Sequence, residues 1–127
     1  MMLGDKTAVA FVATAFPDES LVFYRDRLGL ELVEDSPFAL VFACPNVMLR
    51  VQKVTEAALV THTVFGWDVP DIRASLGALR QQGIEPVRFP GLQQDDGGVW
   101  TSPSGAKVAW FRNPDGNCLS LTQFAVA

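Results

Sequence analysis

Apolar and polar positions along this chain fall into strand and helix patterns that come twice in the same order. Val9-Ala10-Phe11-Val12-Ala13-Thr14 is an apolar run of strand length. Pro17-Asp18 then reads as a helix start, with proline in the first turn and an acid at the positive end of the helix dipole. Residues 19–28 have helical periodicity, with Val22, Phe23 and Leu28 apolar and Arg25, Asp26 and Arg27 polar, and Gly29 stops the helix. Leu30-Glu31-Leu32-Val33-Glu34 alternates as a strand. Two more strands, over 38–43 and 47–53, flank the turn Cys44-Pro45-Asn46.

The second half repeats this plan. Residues 61–69 are strand-like, and Pro70-Asp71 opens a helix whose apolar stripe is Ile72, Leu76 and Leu79. Gly83 stops that helix, and Ile84-Glu85-Pro86-Val87 follows as a strand. Strands over 107–112 and 118–124 close the half. Pro17-Asp18 recurs as Pro70-Asp71, and Gly29-Leu30-Glu31 as Gly83-Ile84-Glu85, at nearly the same spacing. Matched breakers around matched helices indicate a duplicated βαβββ unit. The halves occupy about residues 5–55 and 60–125 of a single domain. They differ in one segment, RFPGLQQDDGGVWTSPSGA, which is far longer than its counterpart around Ser36 and rich in turn formers. It reads as a surface loop with a short extended piece at 99–101, either functional or an inert excursion.

Composition narrows the function classes. Hydrophobic residues make up 49% and charged residues 19% of 127, so the chain has enough apolar surface for a sizeable core or an oligomer interface. A net charge of −4 with no basic run argues against nucleic acid and anionic membranes as partners. No apolar run approaches the ~18 residues of a membrane span, and the acidic start lacks the features of a signal peptide. Cys44 and Cys118 are too few and too far apart for a disulfide framework, which suits reduced thiols in a cytoplasmic protein.

The strand KVAWF, the turn Asn113-Pro114-Asp115-Gly116-Asn117 and the strand CLSLTQF together resemble the C-terminal signature of the glyoxalase/bleomycin-resistance/extradiol-dioxygenase superfamily. Phe23-Tyr24-Arg25-Asp26-Arg27-Leu28-Gly29-Leu30 resembles its helix exit, so the resemblance covers essentially the whole chain. It implies an α+β fold, with two tandem βαβββ modules forming a curved mixed sheet around a cleft, commonly in a homodimer. The metalloenzymes of the superfamily take one ligand from the first and last strand of each half. Carried onto this chain, those positions are Val9, Arg50, Val64 and Ser120. Two valines, an arginine and a serine cannot serve as the convergent donors a divalent cation needs, so the expectation is no metal and no cofactor.

The two-residue strand period sorts the remaining candidates. If Arg50 and Ser120 face the cleft, so do Met48, Gln52, Cys118 and Thr122, joined by Val9, Phe11, His62, Val64 and Gly66 from the first strands. Leu49, Val51, Leu119 and Leu121 then face the core, with Phe111 and Trp67. Trp110 is assigned to the cleft, and Trp100 either caps it or anchors the long loop. His62, the only histidine, is a ligand contact or an ordinary structural histidine. Arg50 either grips a ligand carboxylate or phosphate, or pairs with an internal or cross-subunit acid such as Asp68. Asp95-Asp96 could give the loop a charge suited to basic ligands.

The expected protein is a metal-free small-molecule binder, possibly sequestering an aromatic or amphipathic drug-like ligand, with no assigned catalytic residue. Its binding residues are Phe11, Arg50, Gln52, His62, Val64, Trp100, Trp110, Ser120 and Thr122. The alternative is a metal-dependent glyoxalase-like lyase or isomerase, or a dioxygenase, which requires a different strand register.

Overall fold

Helix signals and strand periodicity place the elements in the duplicated order. The computed structural model describes residues 2–126. The first half runs β1 (Ala8–Thr14), α1 (Pro17–Leu21), β2 (Glu31–Asp35), β3 (Ala39–Cys44) and β4 (Val47–Lys53). The second runs β5 (Thr63–Asp68), α2 (Ile72–Gln81), β6 (Trp100–Thr101), β7 (Lys107–Arg112) and β8 (Cys118–Gln123). Two compact units result, Met1–Leu59 and Val60–Ala127. Each builds its own four-stranded sheet, in the orders β1-β4-β3-β2 and β5-β8-β7-β6. In both, the first strand lies parallel to the last and the other pairs are antiparallel. The repeat in the sequence is thus a repeat in topology, in an α+β fold. Among the described residues no helix is long and apolar enough to cross a membrane.

In the first unit, Leu40, Phe42, Leu49 and Val51 are buried on one face of the sheet. The helical segment is not one α-helix. After Leu21 it widens into a π-helical stretch over Val22–Arg27, where the Leu28 amide donates to the Phe23 carbonyl. The wider turn lets the neighbours Phe23 and Tyr24 both enter the core, where the Tyr24 ring lies 5.7 Å from Phe42. At the end of β1, the buried hydroxyls of Thr14 and Ser20 share a 2.7 Å hydrogen bond that ties the strand to α1.

In the second unit, Asp71 caps α2 by accepting from the Ala74 amide, and Ile72, Leu76 and Leu79 are buried with Ala109, Phe111, Leu119 and Leu121. Gly83, at φ 77°, ends the helix in the left-handed region. The turn before β8 is self-wired: the Asn113 carboxamide oxygen accepts from the Asp115 and Asn117 amides. The Asn117 carboxamide in turn accepts from Val60, which fixes the approach to β5.

One expected strand is absent. Residues 84–87 do not form a strand; the outer edge of β7 is covered by β6 and by a single bond from the Val87 amide to the Trp110 carbonyl. Pro86 has no amide hydrogen to give a ladder, so the edge goes to Trp100-Thr101.

The long segment is also not a loose excursion. The Gln94 carboxamide accepts from the Phe89 amide and donates to the Val87 and Gly98 carbonyls. Arg88 donates to the Asp95 and Asp96 carbonyls, and Arg80, from α2, to that of Gly97. Asp95 accepts from the Arg73 guanidinium at 2.6 Å and from the Gly97 and Val99 amides. Its charge thus takes part in the loop's own structure. These bonds, the Arg73 one foremost, hold the Asp95 carboxyl down at about 2.

A carboxylate lowered from its ordinary value stabilises the fold above that ordinary value, and the contribution is lost as pH falls toward the folded one. Asp95→Asn is therefore expected to lower stability at neutral pH and to reduce the loss seen in wild type between about pH 4 and pH 2. Denaturant titrations at pH 7, 4 and 2 read this directly; parallel wild-type and variant curves would show that the carboxylate contributes nothing.

Candidate functional site

Strand register decides which side chains share a face, since cross-strand partners point the same way. In the second unit, the face turned away from α2 carries three rows. Gly66, Ser120 and Trp110 form one, and Asp68, Thr122, Val108 and Trp100 the next. Thr63, Cys118 and Arg112 form the third. Trp110 is on this open face and its neighbour Phe111 is buried on the other, where it stacks on Trp67 at 6.1 Å.

The aromatic rings on the open face form a cluster. Trp100 and Trp110 lie 6.3 Å apart at 37°, and Phe89 meets Trp110 edge-on at 5.3 Å. The indole N–H of Trp110 donates to the Thr63 hydroxyl at 3.1 Å, which fixes the ring's orientation. Beside it, the Ser120 side chain leans over Gly66: a β-carbon on residue 66 would fall 2.2 Å from the Ser120 hydroxyl. Only glycine leaves this space. The result is a half-buried aromatic wall with a low floor of small polar residues.

The start of β5 departs from regular alternation. A β-bulge between Thr63 and Phe65 breaks the register there, and Thr63 is the residue paired with Cys118. His62 lies in a bend before the strand and is exposed, outside the alternation that placed it on the open face. A one-residue bulge reverses the parity of everything upstream of it. Thr63 and Phe89 are the residues that sequence reasoning missed. A bulge leaves no mark in hydrophobic alternation, and Phe89 sits in a segment without periodicity.

In the first unit, the open face carries Phe11, Arg50, Val41 and Glu34 in one row and Val9, Met48, Ala43 and Glu31 in the next. Ala13, Gln52 and Ala39 form a third. Leu49 and Val51 point the other way into the core. Within the first unit, Arg50 has neither an ion pair nor a hydrogen bond among the described residues. Its guanidinium is half-buried there.

The positions assigned to metal ligands do not suit a metal. Val9 offers an alkyl group, and Arg50, a fixed cation, stands between Phe11 and Val41. Val64 is an alkyl group in a bulge, and Ser120 is a lone hydroxyl between Gly66 and Trp110. Among the described residues, no three His, Cys, Asp or Glu side chains gather where they could hold a metal ion. Of the cysteines, Cys118 is buried, and burial pushes the Cys44 thiol up.

No family model and no curated protein matches the chain. Solved structures match it along nearly its whole length. It is similar to the lactoylglutathione lyase of Agrobacterium tumefaciens, with a TM-score of 0.72 and 16% identity over 94% of this chain and 93% of that one. A glyoxalase/bleomycin resistance protein/dioxygenase superfamily member from Sphaerobacter thermophilus gives 0.73 and 19%, over 97% and 99%. A glyoxalase family protein from Enterococcus faecalis gives 0.71 and 23%, over 97% and 100%. With its two βαβββ units in the same strand order, the chain has the fold of the glyoxalase/bleomycin resistance protein/dioxygenase superfamily.

Proposed function

We propose that this chain is a metal-free small-molecule-binding protein, in character nearest the bleomycin-resistance-like members of its fold. It holds an aromatic or amphipathic, drug-like ligand against the open face of the second unit, with no bond made or broken. The observation that carries this reading is the Trp100–Trp110 pair, 6.3 Å apart on one face and half-exposed. Tryptophan supplies large contact area with few torsions to freeze, and the Thr63 hydrogen bond freezes one ring in advance. Ser120 and Thr122, on the adjacent strand, provide hydroxyls for a ligand's polar edge. The metal-ligand positions filled by Val9, Arg50, Val64 and Ser120 support the metal-free part of the reading.

Tryptophan fluorescence during titration with a planar cationic dye such as acridine orange tests it. Saturable quenching is expected. Trp100→Phe and Trp110→Phe should each weaken dye affinity by about three- to tenfold, the range of a lost aromatic contact. Dye affinity unchanged in both variants would remove the binding face from this wall. A full equivalent of Zn, Ni or Fe in the purified protein would instead favour the lyase or dioxygenase alternative.

A further inference from the structure

We propose that Asp96-Gly97 is a self-modification site: the Gly97 amide nitrogen attacks the Asp96 carboxyl and closes a succinimide, which water then opens to isoaspartate. The reaction needs a free carboxyl, an unhindered neighbour and an activated amide. Asp96 is exposed, and its carboxyl makes no hydrogen bond or ion pair among the described residues. Residue 97 is glycine, with no side chain to obstruct the ring. The peptide group between them is held at both ends. Its carbonyl oxygen accepts from the Arg88 guanidinium at 2.7 Å, and its N–H donates to the Asp95 carboxylate at 3.0 Å. A cation on the oxygen and an anion on the N–H both favour the imidate-like form, in which the nitrogen is the nucleophile. Arg73 and the Val99 amide fix the Asp95 carboxylate in that position.

Atoms balance with water as the only co-reactant. A bond forms between the Gly97 nitrogen and the side-chain carboxyl carbon of Asp96. The carboxyl's carbon–hydroxyl bond breaks, and the hydroxyl leaves as water with the amide proton. Hydrolysis at the ring's main-chain carbonyl gives isoaspartate, whose backbone runs through the side chain and is longer by one methylene. That lengthening withdraws the carbonyl held by Arg88, within the turn where the Gly98 amide donates to the Asp95 carbonyl. The same turn leads into β6 and Trp100. A second Asp-Gly pair, Asp115-Gly116, is the internal control. One of its carboxyl oxygens is buried. The Gly116 amide donates to the Asn113 carbonyl, not to a carboxylate, and Arg112 donates to the carbonyl of Gly116, one peptide group beyond the reacting one. Gly116 thus lacks the pair of charges that acts on Gly97.

Incubation of the folded protein at about pH 5, where ordinary aspartic acids are partly protonated and so able to lose water, tests the site. Peptide mapping by mass spectrometry, with electron-transfer fragmentation, follows the succinimide by its loss of one water and isoaspartate by its diagnostic fragments. Product should accumulate at Asp96 several-fold faster than in a synthetic peptide of residues 92–101, while Asp115 should lag behind its own peptide. Arg88→Gln and Asp95→Asn should each bring the folded rate at Asp96 down to that of the peptide. If neither variant folds, urea-unfolded wild type serves instead: unfolding should slow Asp96 and speed Asp115. A folded-state rate at Asp96 no greater than the peptide's, equal rates at the two pairs in the folded chain, or an undiminished rate in the folded variants would overturn the proposal. The map is read without dye, so its outcome does not depend on what the tryptophan wall binds.

Discussion

Phe111→Ala is expected to destabilise the protein by ~3–5 kcal/mol, the usual cost of removing a buried aromatic ring and leaving its cavity. Phe111 is 1% exposed and stacks on Trp67 at the core of the second unit. Domains of this size have only about 5–15 kcal/mol of stability, so the loss is a large share of the total. The next residue along β7 gives the control. Trp110 faces the other way, is half-buried, and has its polar atom tied to Thr63. Trp110→Ala should therefore cost clearly less in denaturant titration while removing much of the dye quenching. Equal destabilisation by the two variants would mean that the faces of β7 are assigned the wrong way round. A ligand-competent Trp110→Ala protein would leave the faces intact and discard the aromatic wall.

The second large effect concerns Gly66. An added β-carbon would lie 2.2 Å from the Ser120 hydroxyl and 3.0 Å from its carbonyl oxygen. Gly66→Ala is expected to cost about 1–3 kcal/mol, the range for overpacking a fitted site. Ser120→Ala alone should cost little, because that hydroxyl makes no hydrogen bond among the described residues. Combined, the two changes should cost less than Gly66→Ala alone, since the closest clash is gone; the carbonyl contact, which is backbone, remains. Thermal unfolding of the four proteins measures this coupling. Strict additivity would show that Ser120 does not occupy the space above Gly66. The same crowding keeps the floor beside Trp110 low, so Gly66→Ala should also reduce dye affinity.

Much of the architecture is legible in the residues. Pro17, Asp71, Gly29 and Gly83 mark helix ends because each acts through its own backbone conformation or a hydrogen bond within one turn. The alternation in β4 separates Leu49 and Val51 from Arg50 and Gln52 because that strand is regular. The site is less legible, and the reasons differ by residue. Val64 and His62 depend on whether β5 pairs regularly with β8, a question of long-range hydrogen bonding. Asp95 looks like surface charge until Arg73, distant in sequence, is placed against it. Residues 84–87 read as a strand, and nothing local announced that Trp100-Thr101 would take that edge instead.

Local chemistry alone determined the repeated strand-helix plan, the helix starts and glycine stops, and the core faces of the regular strands, because periodicity and φ preferences act over a few neighbouring residues. Tertiary structure alone decided the Val64 bulge, the meeting of Trp100, Trp110 and Phe89 and the capture of Asp95 by Arg73. Each of these turns on which distant segment lies alongside, and pairing between strands or across a loop is set by the packing of the whole unit rather than by any short stretch of chain.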